Sequence, residues 1–304
     1  MPARLILNAD DFGLTPGINR AIAELHSAGA LTSATLMANG LAFDDAVRIA
    51  HAQPTLGIGC HIVLTDGVPV SNPETIPTLL GPDRRSFRPS LLNFIRDLWL
   101  NRIDPAEIER EALAQVQKLQ RAGIDVTHLD THKHTHIFPP VARALHRIAR
   151  HTSAATLRNP FEPTFARHAS RTTLKRRLQI WLLHQLQPRF DRIAGKELFT
   201  DGTIGISATG NLNAETLKAT LDALPSSGTF EILCHPGYND ADLDRITTRL
   251  RSHREIEYQA LLEQIPKLAL QPNPPKLIHY GNLGAFGVLR DERSFHPDNG
   301  YEGY

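Results

Sequence analysis

Short apolar runs alternate along the chain with longer segments whose apolar residues recur about every 3.6 positions. The runs predict strands at Leu5–Ala9, Ser33–Met37, Gly57–Ile62, Val126–Leu129, Thr156–Arg158, Thr203–Ile206, Phe230–Cys234 and Lys276–His279. The segments between them predict helices at Gly17–Ser27, Phe43–Ala52, Pro105–Ala122, Pro140–Arg150, Thr173–Gln187, Ala214–Leu224 and Ala241–Gln271. Strands that alternate with helices in this way are typical of a parallel sheet with crossover helices.

Length and helix ends refine this α/β prediction. Thr15-Pro16 supplies a cap and first position for one helix, and Gly123 a C-terminal stop for another. A chain of 304 residues, 41% of them hydrophobic, is long enough to close such a sheet. We therefore expect one catalytic domain over residues 1–304, folded as a distorted (β/α) barrel of the TIM-like type, with an open doubly wound sheet as the alternative.

Three segments depart from the alternating pattern. Residues 65–104 are rich in proline and glycine, and we interpret them as an insertion over the mouth of the barrel. Residues 159–200 form a second insertion, which is predicted to be mostly helical. The tail, 291–304, is polar and is expected to be poorly ordered.

Charge and composition exclude several classes of function. The formal net charge is +1, from 33 basic and 32 acidic residues, and no basic stripe is interleaved with aromatic residues, so we expect no nucleic-acid partner. The basic cluster at 168–177 is interpreted as the solvated face of a helix. The longest suspect apolar run, Ile180 to Leu183, is too short to span a membrane. The first strand begins within a few residues of the N-terminus, without a signal-peptide pattern, so a cytoplasmic location is expected.

Two adjacent carboxylates, Asp10 and Asp11, follow the first predicted strand. Neighbouring carboxylates repel and are costly to bury, and a cation or a shared proton would remove that cost. The carboxyl ends of strands are where α/β folds bind ligands and metals. An aspartate after a strand is often a helix cap, but Thr15 already fills that role here. The pair therefore indicates a functional site.

A second cluster, His128, Asp130, His132, His134 and His136, follows another predicted strand. These residues share parity, so an extended chain would place them on one face. Imidazole is the commonest metal ligand, and Asp130 could hold the second ring nitrogen of a ligating histidine. The alternative is a hydrogen-bonded polar loop.

Two more histidines lie in or at the end of apolar strands. His61 interrupts one strand, and His235 ends a late strand before Pro236-Gly237. A lone histidine is more often a core residue, but one Asp and two His from three strand ends form a three-ligand metal set with open positions. His235 is either a fourth ligand or an acid–base group. Cys60 and Cys234 are interpreted as small core residues in a reducing compartment.

Taken together, the segments 8–13, 57–65, 127–136 and 234–238 resemble the YdjC-type carbohydrate deacetylases. This group includes chitooligosaccharide deacetylases and deacetylase-like proteins of hopanoid gene sets, and the resemblance extends over residues 4–265. It implies a distorted (β/α) barrel, one divalent metal ion and hydrolysis of an N-acetyl group on an amino sugar. The two insertions match the family weakly and are expected to shape the sugar pocket.

The resemblance also implies a role for particular residues. The implied metal ligands are Asp11, His61 and His132, with Asp10 as general base and His235 as general acid. Four further residues are candidates for binding substrate or for contacts that hold the metal ligands in place: Asp130, His134, His136 and Arg158. Arg158 could orient Asp10 or bind sugar hydroxyls, with a purely structural ion pair as the alternative.

The identity of the metal and the class of substrate stay open at this point. Two imidazoles and a carboxylate suit Zn²⁺, whereas Mg²⁺ would keep several waters and is a less usual partner for imidazole. A metal-dependent amidase acting on a non-sugar amide is the main rival function, and a non-catalytic sugar-binding barrel is the second. The expected partner is a small N-acetylated sugar, with no membrane span and with a homodimer as the candidate assembly.

Overall fold

The computed structural model describes residues 2–152, 154, 156–169, 173–195 and 200–283. Within them, the strands are Arg4–Phe12 (β1), Ser33–Leu36 (β2), Gly57–Ile62 (β3), Val126–Thr131 (β4), Gly202–Ile204 (β5), Thr229–Cys234 (β6) and Lys276–Leu277 (β7). The helices are Pro16–Ser27 (α1), Phe43–Ala52 (α2), Leu91–Trp99 (α3), Pro105–Arg121 (α4), Pro139–His151 (α5), Thr164–Ala169 (α6), Leu174–His184 (α7), Gln187–Ala194 (α8), Ala214–Asp222 (α9), Ala241–Asp244 (α10) and Ser252–Leu268 (α11).

The strands pair in parallel in the order β4-β3-β2-β1-β6-β5, and β7 pairs with the start of β1. An irregular segment, 156–161, bridges the two edge strands. It exchanges backbone hydrogen bonds with Leu129 of β4, and Phe161 accepts a bond of 3.1 Å from Thr203 of β5. The sheet therefore curls on itself with helices outside, which confirms the distorted (β/α) barrel.

Helix ends follow the capping chemistry of the sequence. The Thr15 side chain accepts a hydrogen bond from the Ile18 N–H at 3.3 Å, and proline follows at the first helical position. Beyond α4, Gly123 takes a φ of +77°, a left-handed conformation that glycine adopts at little cost. Both predicted boundaries are confirmed.

Two predicted strands are shorter than expected. Thr156–Arg158 forms a single bridge, between Leu157 and Leu129, because this segment changes partner from β4 to β5 within a few residues. Lys276–His279 is a strand over only two residues, since the chain then enters a 3₁₀ turn at Tyr280–Asn282. The His279 side chain caps that turn.

The long helix predicted over Ala241–Gln271 is wrong, because α10 and α11 occupy its two ends. Between them, the Thr248 hydroxyl accepts a hydrogen bond from the Leu250 N–H at 3.1 Å. Threonine side chains that bond nearby backbone in this way compete with helical hydrogen bonds. The chain consequently turns before α11 begins.

The insertion over 65–104 contains α3 and a 3₁₀ turn at Pro73–Thr75, neither of which was predicted. Buried carboxylates of α4 fix it: Glu111 accepts from the N–H groups of Val70 and Ser71, and Glu107 accepts from Thr78. In the insertion over 159–200, most of the described residues belong to α6, α7 and α8, which agrees with its prediction as mostly helical. The polar tail lies outside the described residues. Among those that are described, no helix combines the length and apolar character needed to cross a bilayer.

Candidate active site

The two adjacent aspartates lie in a bulged end of β1. The pairing of β1 with β2 shifts register between Ala9 and Phe12, and Asp11 has a φ of +65°. Successive side chains of a regular strand point to opposite faces, so a bulge is needed to bring both carboxylates towards the same site. Asp10 and Asp11 are each 2% exposed. A left-handed aspartate carries backbone strain of the kind that accumulates at functional sites.

One oxygen of Asp11 faces two imidazole nitrogens. Asp11 Oδ1 lies 3.6 Å from His61 Nε2 and 3.4 Å from His132 Nδ1. This buried oxygen has no hydrogen-bond partner among the described residues. Ligands bound at 2.0–2.1 Å around a tetrahedral metal stand ~3.3 Å apart. The three side chains, which come from the carboxyl ends of β1, β3 and β4, therefore fit a divalent cation.

The other ring nitrogen of His61 is held by Asp130. The distance from His61 Nδ1 to Asp130 Oδ1 is 2.8 Å, the carboxylate support that metal-bound histidines usually have. Burial lowers the pKa of His61, but the charges of Asp130, Asp10 and Asp11 outweigh burial and raise it to about 9. Positive charge is therefore favoured at this point of the pocket.

Arg158 links Asp10 to the interior of the barrel. Its guanidinium lies 2.7 Å and 3.0 Å from the two Asp10 oxygens, 2.5 Å from Asp130 and 2.7 Å from Glu231. Burial raises the pKa of Asp10, yet the positive charges of Arg158 and His61 prevail and hold it well below its usual range. Arg158 therefore holds Asp10 as an anion in a buried ion pair, a contact that fits both the orienting role and the purely structural one.

Arg254 of α11 binds one of the two carboxylate oxygens of Asp11. Its Nη2 lies 2.6 Å from Asp11 Oδ2, which leaves Oδ1 for the histidines. The buried carboxylates around the site, Asp10, Asp11, Asp130 and Glu231, outnumber the guanidiniums of Arg158 and Arg254. Buried charge needs compensation, so this negative excess also fits a divalent cation.

His235 lies directly after β6 and faces Asp10. Its Nε2 is 3.9 Å from Asp10 Oδ2, and its backbone N–H donates to Glu257 Oε2 at 2.6 Å. Burial lowers the pKa of His235 to about 4 despite the nearby carboxylates of Asp10 and Asp11. Burial also raises the pKa of Glu257 to about 7. His235 is therefore a neutral imidazole that borders the aspartate pair.

The expected extended run of histidines stops at His132. A 3₁₀ turn spans His132–Ile137, and Lys133 and His134 both have positive φ. Parity therefore does not place His134 and His136 on the face of the strand, and that interpretation is wrong for these two residues. His136 pairs with Thr131 Oγ1 at 2.7 Å, and the ring of His134 lies 6.0 Å from that of His136.

Comparison with known proteins places the chain in a family. The model of the family described as "YdjC-like protein" matches residues 4–271. The chain belongs to the YdjC-like family.

Three relatives illustrate this membership. A carbohydrate deacetylase of Brevibacillus brevis is 42% identical over 48% of this chain and 55% of its own length, so that match spans about half of each protein. A carbohydrate deacetylase of Geobacillus stearothermophilus is 32% identical over 80% of this chain and 83% of its own. A crystal structure from Enterococcus faecalis V583, described provisionally as a cellobiose-phosphate cleavage protein, is 26% identical with a TM-score of 0.73, over 93% of this chain and 99% of that one.

The sequence analysis did not single out Glu231, Arg254 and Glu257, which contact the candidate site residues Arg158, Asp11 and His235. Glu231 sits inside an apolar strand, which is a detectable anomaly, and it accepts hydrogen bonds from Arg158, Thr203 and Tyr280. Arg254 and Glu257 lie on an ordinary polar helix, and no pattern distinguishes them from solvent-facing residues. The buried cysteines, Cys60 and Cys234, have pKa values that burial raises, and they are core residues as interpreted.

Proposed function

We propose that this YdjC-like protein is a metal-dependent hydrolase that removes an N-acetyl group from an amino sugar and releases acetate. The observation that carries the proposal is Asp11 Oδ1, a buried oxygen without a hydrogen-bond partner among the described residues, which faces His61 and His132. A proton-accepting carboxylate and an imidazole border the same pocket. The carbohydrate deacetylases among its relatives support a sugar as the substrate.

Asp11, His61 and His132 would hold the cation, with Zn²⁺ favoured by the imidazoles and Mg²⁺ as the other candidate. When bound, such an ion acidifies water and polarises a carbonyl group. Arg254 keeps Asp11 to one ligating oxygen, and Asp130 sets the tautomer of His61. These contacts prepare the pocket before substrate arrives.

Asp10 and His235 would handle the protons. Asp10 accepts the proton of the attacking water, and Arg158 fixes the direction of that carboxylate. Because His235 is neutral, it would first take that proton from Asp10 and then pass it from Nε2 to the departing nitrogen, which leaves as a neutral amine. Asp10 Oδ2 and His235 Nε2 are 3.9 Å apart, so the transfer requires the two groups to close to hydrogen-bond distance, directly or through one water, in the substrate complex.

Exposure indicates the side from which substrate approaches. The side chains of Asp10, Asp11 and His61 are at most 3% exposed, whereas those of His132 and His235 are 23% and 12% exposed. The acetamide would therefore enter between His132 and His235, the two partly exposed histidines. His134 Nδ1, buried and without a hydrogen-bond partner in the described part of the chain, would bind a sugar hydroxyl there.

Two measurements on one preparation test the proposal. Elemental analysis is expected to find one divalent ion for each chain, and a panel of N-acetylated sugars is expected to yield acetate, with loss in chelator and recovery on adding metal. Release of acetate from non-sugar amides alone would favour the rival amidase. Anomalous scattering that placed the ion on His134 and His136 would refute the ligand assignment.

A further inference from the structure

Helix α7 exposes an apolar stripe to solvent. Leu174, Leu178, Trp181 and Leu182 are 82%, 58%, 55% and 54% exposed, and their spacing puts them on one face of the helix. The opposite side carries Ile180, which is 5% exposed and packs inwards. Large apolar side chains that cluster on one exposed face often mark a binding surface, whereas single scattered ones need no such explanation.

The stretch of sequence that contains this stripe is basic. Residues 163–190 contain six arginines and lysines and neither aspartate nor glutamate, although the whole chain is nearly neutral. Arg177 is exposed and lies at the edge of the stripe, one helical position before Leu178. Leucine and tryptophan on one face, with basic residues beside them, is the pattern of a helix that lies in the plane of a membrane surface.

The anchoring of α7 places it near the end of the barrel that carries the site. Arg176 Nη2 donates to the carbonyl of Ile206 at 2.7 Å, two residues beyond the carboxyl end of β5. The metal-ligand candidates lie at the carboxyl ends of β1, β3 and β4, which is that same end of the parallel sheet. A surface that docked through α7 would therefore lie beside the mouth of the barrel.

We propose that α7 binds the surface of an anionic lipid bilayer, with its leucines and tryptophan at the headgroup boundary and Arg177 on the phosphates. A second copy of the chain fits less well, because two α7 surfaces would bring like charges together. The proposal revises the interpretation of the basic cluster as a merely solvated face. It stands independently of the reaction, since no residue of α7 belongs to the proposed machinery.

The two tryptophans of the chain make the test specific, because Trp99 lies on α3 and Trp181 on α7. Both are more than half exposed, at 61% and 55%. In a Trp99→Phe variant, adding phosphatidylglycerol vesicles is expected to shift Trp181 emission to the blue and to make it quenchable by brominated lipid. The matched Trp181→Phe variant, which retains Trp99, is expected to show neither change. A blue shift of Trp99 alone would overturn the proposal.

Partition onto vesicles measures the contributions of charge and apolar contact. Arg177→Glu is expected to weaken binding to phosphatidylglycerol vesicles by at least about tenfold, since each basic charge near such a surface contributes several-fold. Leu178→Ser with Trp181→Ser is expected to weaken it by a similar factor, whereas Leu92→Ser on α3 leaves it unchanged. Acetate release from a soluble sugar should be the same in all of these variants.

Three results would overturn the assignment to an anionic bilayer. The first is equal partition of the wild-type chain onto phosphatidylcholine and phosphatidylglycerol vesicles at low salt. The second is binding that persists undiminished in high salt, where surface charges are screened. The third is a wild-type dimer in sedimentation velocity that Leu178→Ser with Trp181→Ser converts to monomer, which would assign the stripe to a second copy.

Discussion

The mouth of the barrel and the interior beneath it treat buried charge differently. In the interior, Arg158 forms ion pairs with both Glu231 and Asp130, and the Tyr280 hydroxyl donates a hydrogen bond to Glu231. At the mouth, Asp11 Oδ1 is as deeply buried but has no hydrogen-bond partner among the described residues. An unpaired buried carboxylate oxygen is costly, so its persistence indicates a place prepared for a ligand.

Residues at the mouth and residues in the interior are similarly buried, yet they are expected to respond differently to substitution. Substitutions at the mouth should alter turnover or metal affinity and spare folding. Substitutions in the interior should reduce the free energy of unfolding and spare metal affinity.

Asp10→Asn is expected to remove most turnover, by ~10²–10⁴-fold, while metal content stays near normal. The amide is nearly isosteric with the carboxylate but cannot accept the proton, and Arg158 retains Asp130 and Glu231 as counter-charges. Steady-state kinetics on a metal-replete preparation, with elemental analysis as the control, measures both. A normal kcat would eliminate Asp10 as the base.

His235→Ala is expected to slow hydrolysis of an N-acetyl amide by ~10²-fold or more, and to slow an activated ester of similar shape much less. The amide needs its leaving nitrogen protonated, whereas a good ester leaving group does not. Metal occupancy should be unchanged. Equal losses on the two substrates, or loss of the metal, would give His235 a different role.

Glu231→Gln tests the interior and should lower the free energy of unfolding by about 3 kcal/mol. The variant takes one acceptor oxygen from Thr203 and Tyr280 and a counter-charge from Arg158. Urea unfolding in chelator measures this, and calorimetry should find metal affinity close to that of the wild type. A large loss of metal affinity with unchanged unfolding would break the division between the two regions.

Arg254→Met is expected to weaken metal binding by ~10–100-fold, because Asp11 Oδ2 loses the contact that keeps Oδ1 free for the ion. Calorimetric titration of metal into the chelated protein gives the dissociation constant. Arg251→Met is the matched control, since Arg251 pairs with Asp244 on the surface. Arg254→Lys should recover part of the affinity, and its failure to do so would point to the fork geometry of arginine.

His128→Phe should make the free energy of unfolding depend less on pH below about 6.5. Burial lowers the pKa of His128 well below its usual 6.5, so the unfolded chain binds more protons and stability falls as pH drops below about 6.5. The slope contributed by one such group is at most about 1.4 kcal/mol per pH unit. Phenylalanine retains the stacking on Tyr280, where the ring centroids are 3.7 Å apart, and removes the titration. Unfolding in urea at pH 7 and pH 5, in chelator, measures the difference, and an unchanged slope would contradict it.

Sequence alone determined the alternating architecture and the motif residues at the strand ends. Periodicity is local, so the core strands and most helices could be placed within a few residues. Asp10, Asp11, His61, His132 and His235 stood out because polar groups follow or interrupt apolar strands, which burial makes costly. Their assignment to roles came from the resemblance to a family, and those roles stay predictions.

Tertiary structure decided which residues distant in sequence contact one another at the site and which helix face stays exposed. Arg254 is separated from Asp11 by most of the chain, and only the closure of the barrel brings α11 against β1. The bulge that turns Asp10 and Asp11 to one site depends on the register with β2. The exposed stripe of α7 follows from which side of that helix the barrel covers. In each case, contacts between residues far apart in sequence override or complete the local preference, and such contacts exist only once the chain has folded.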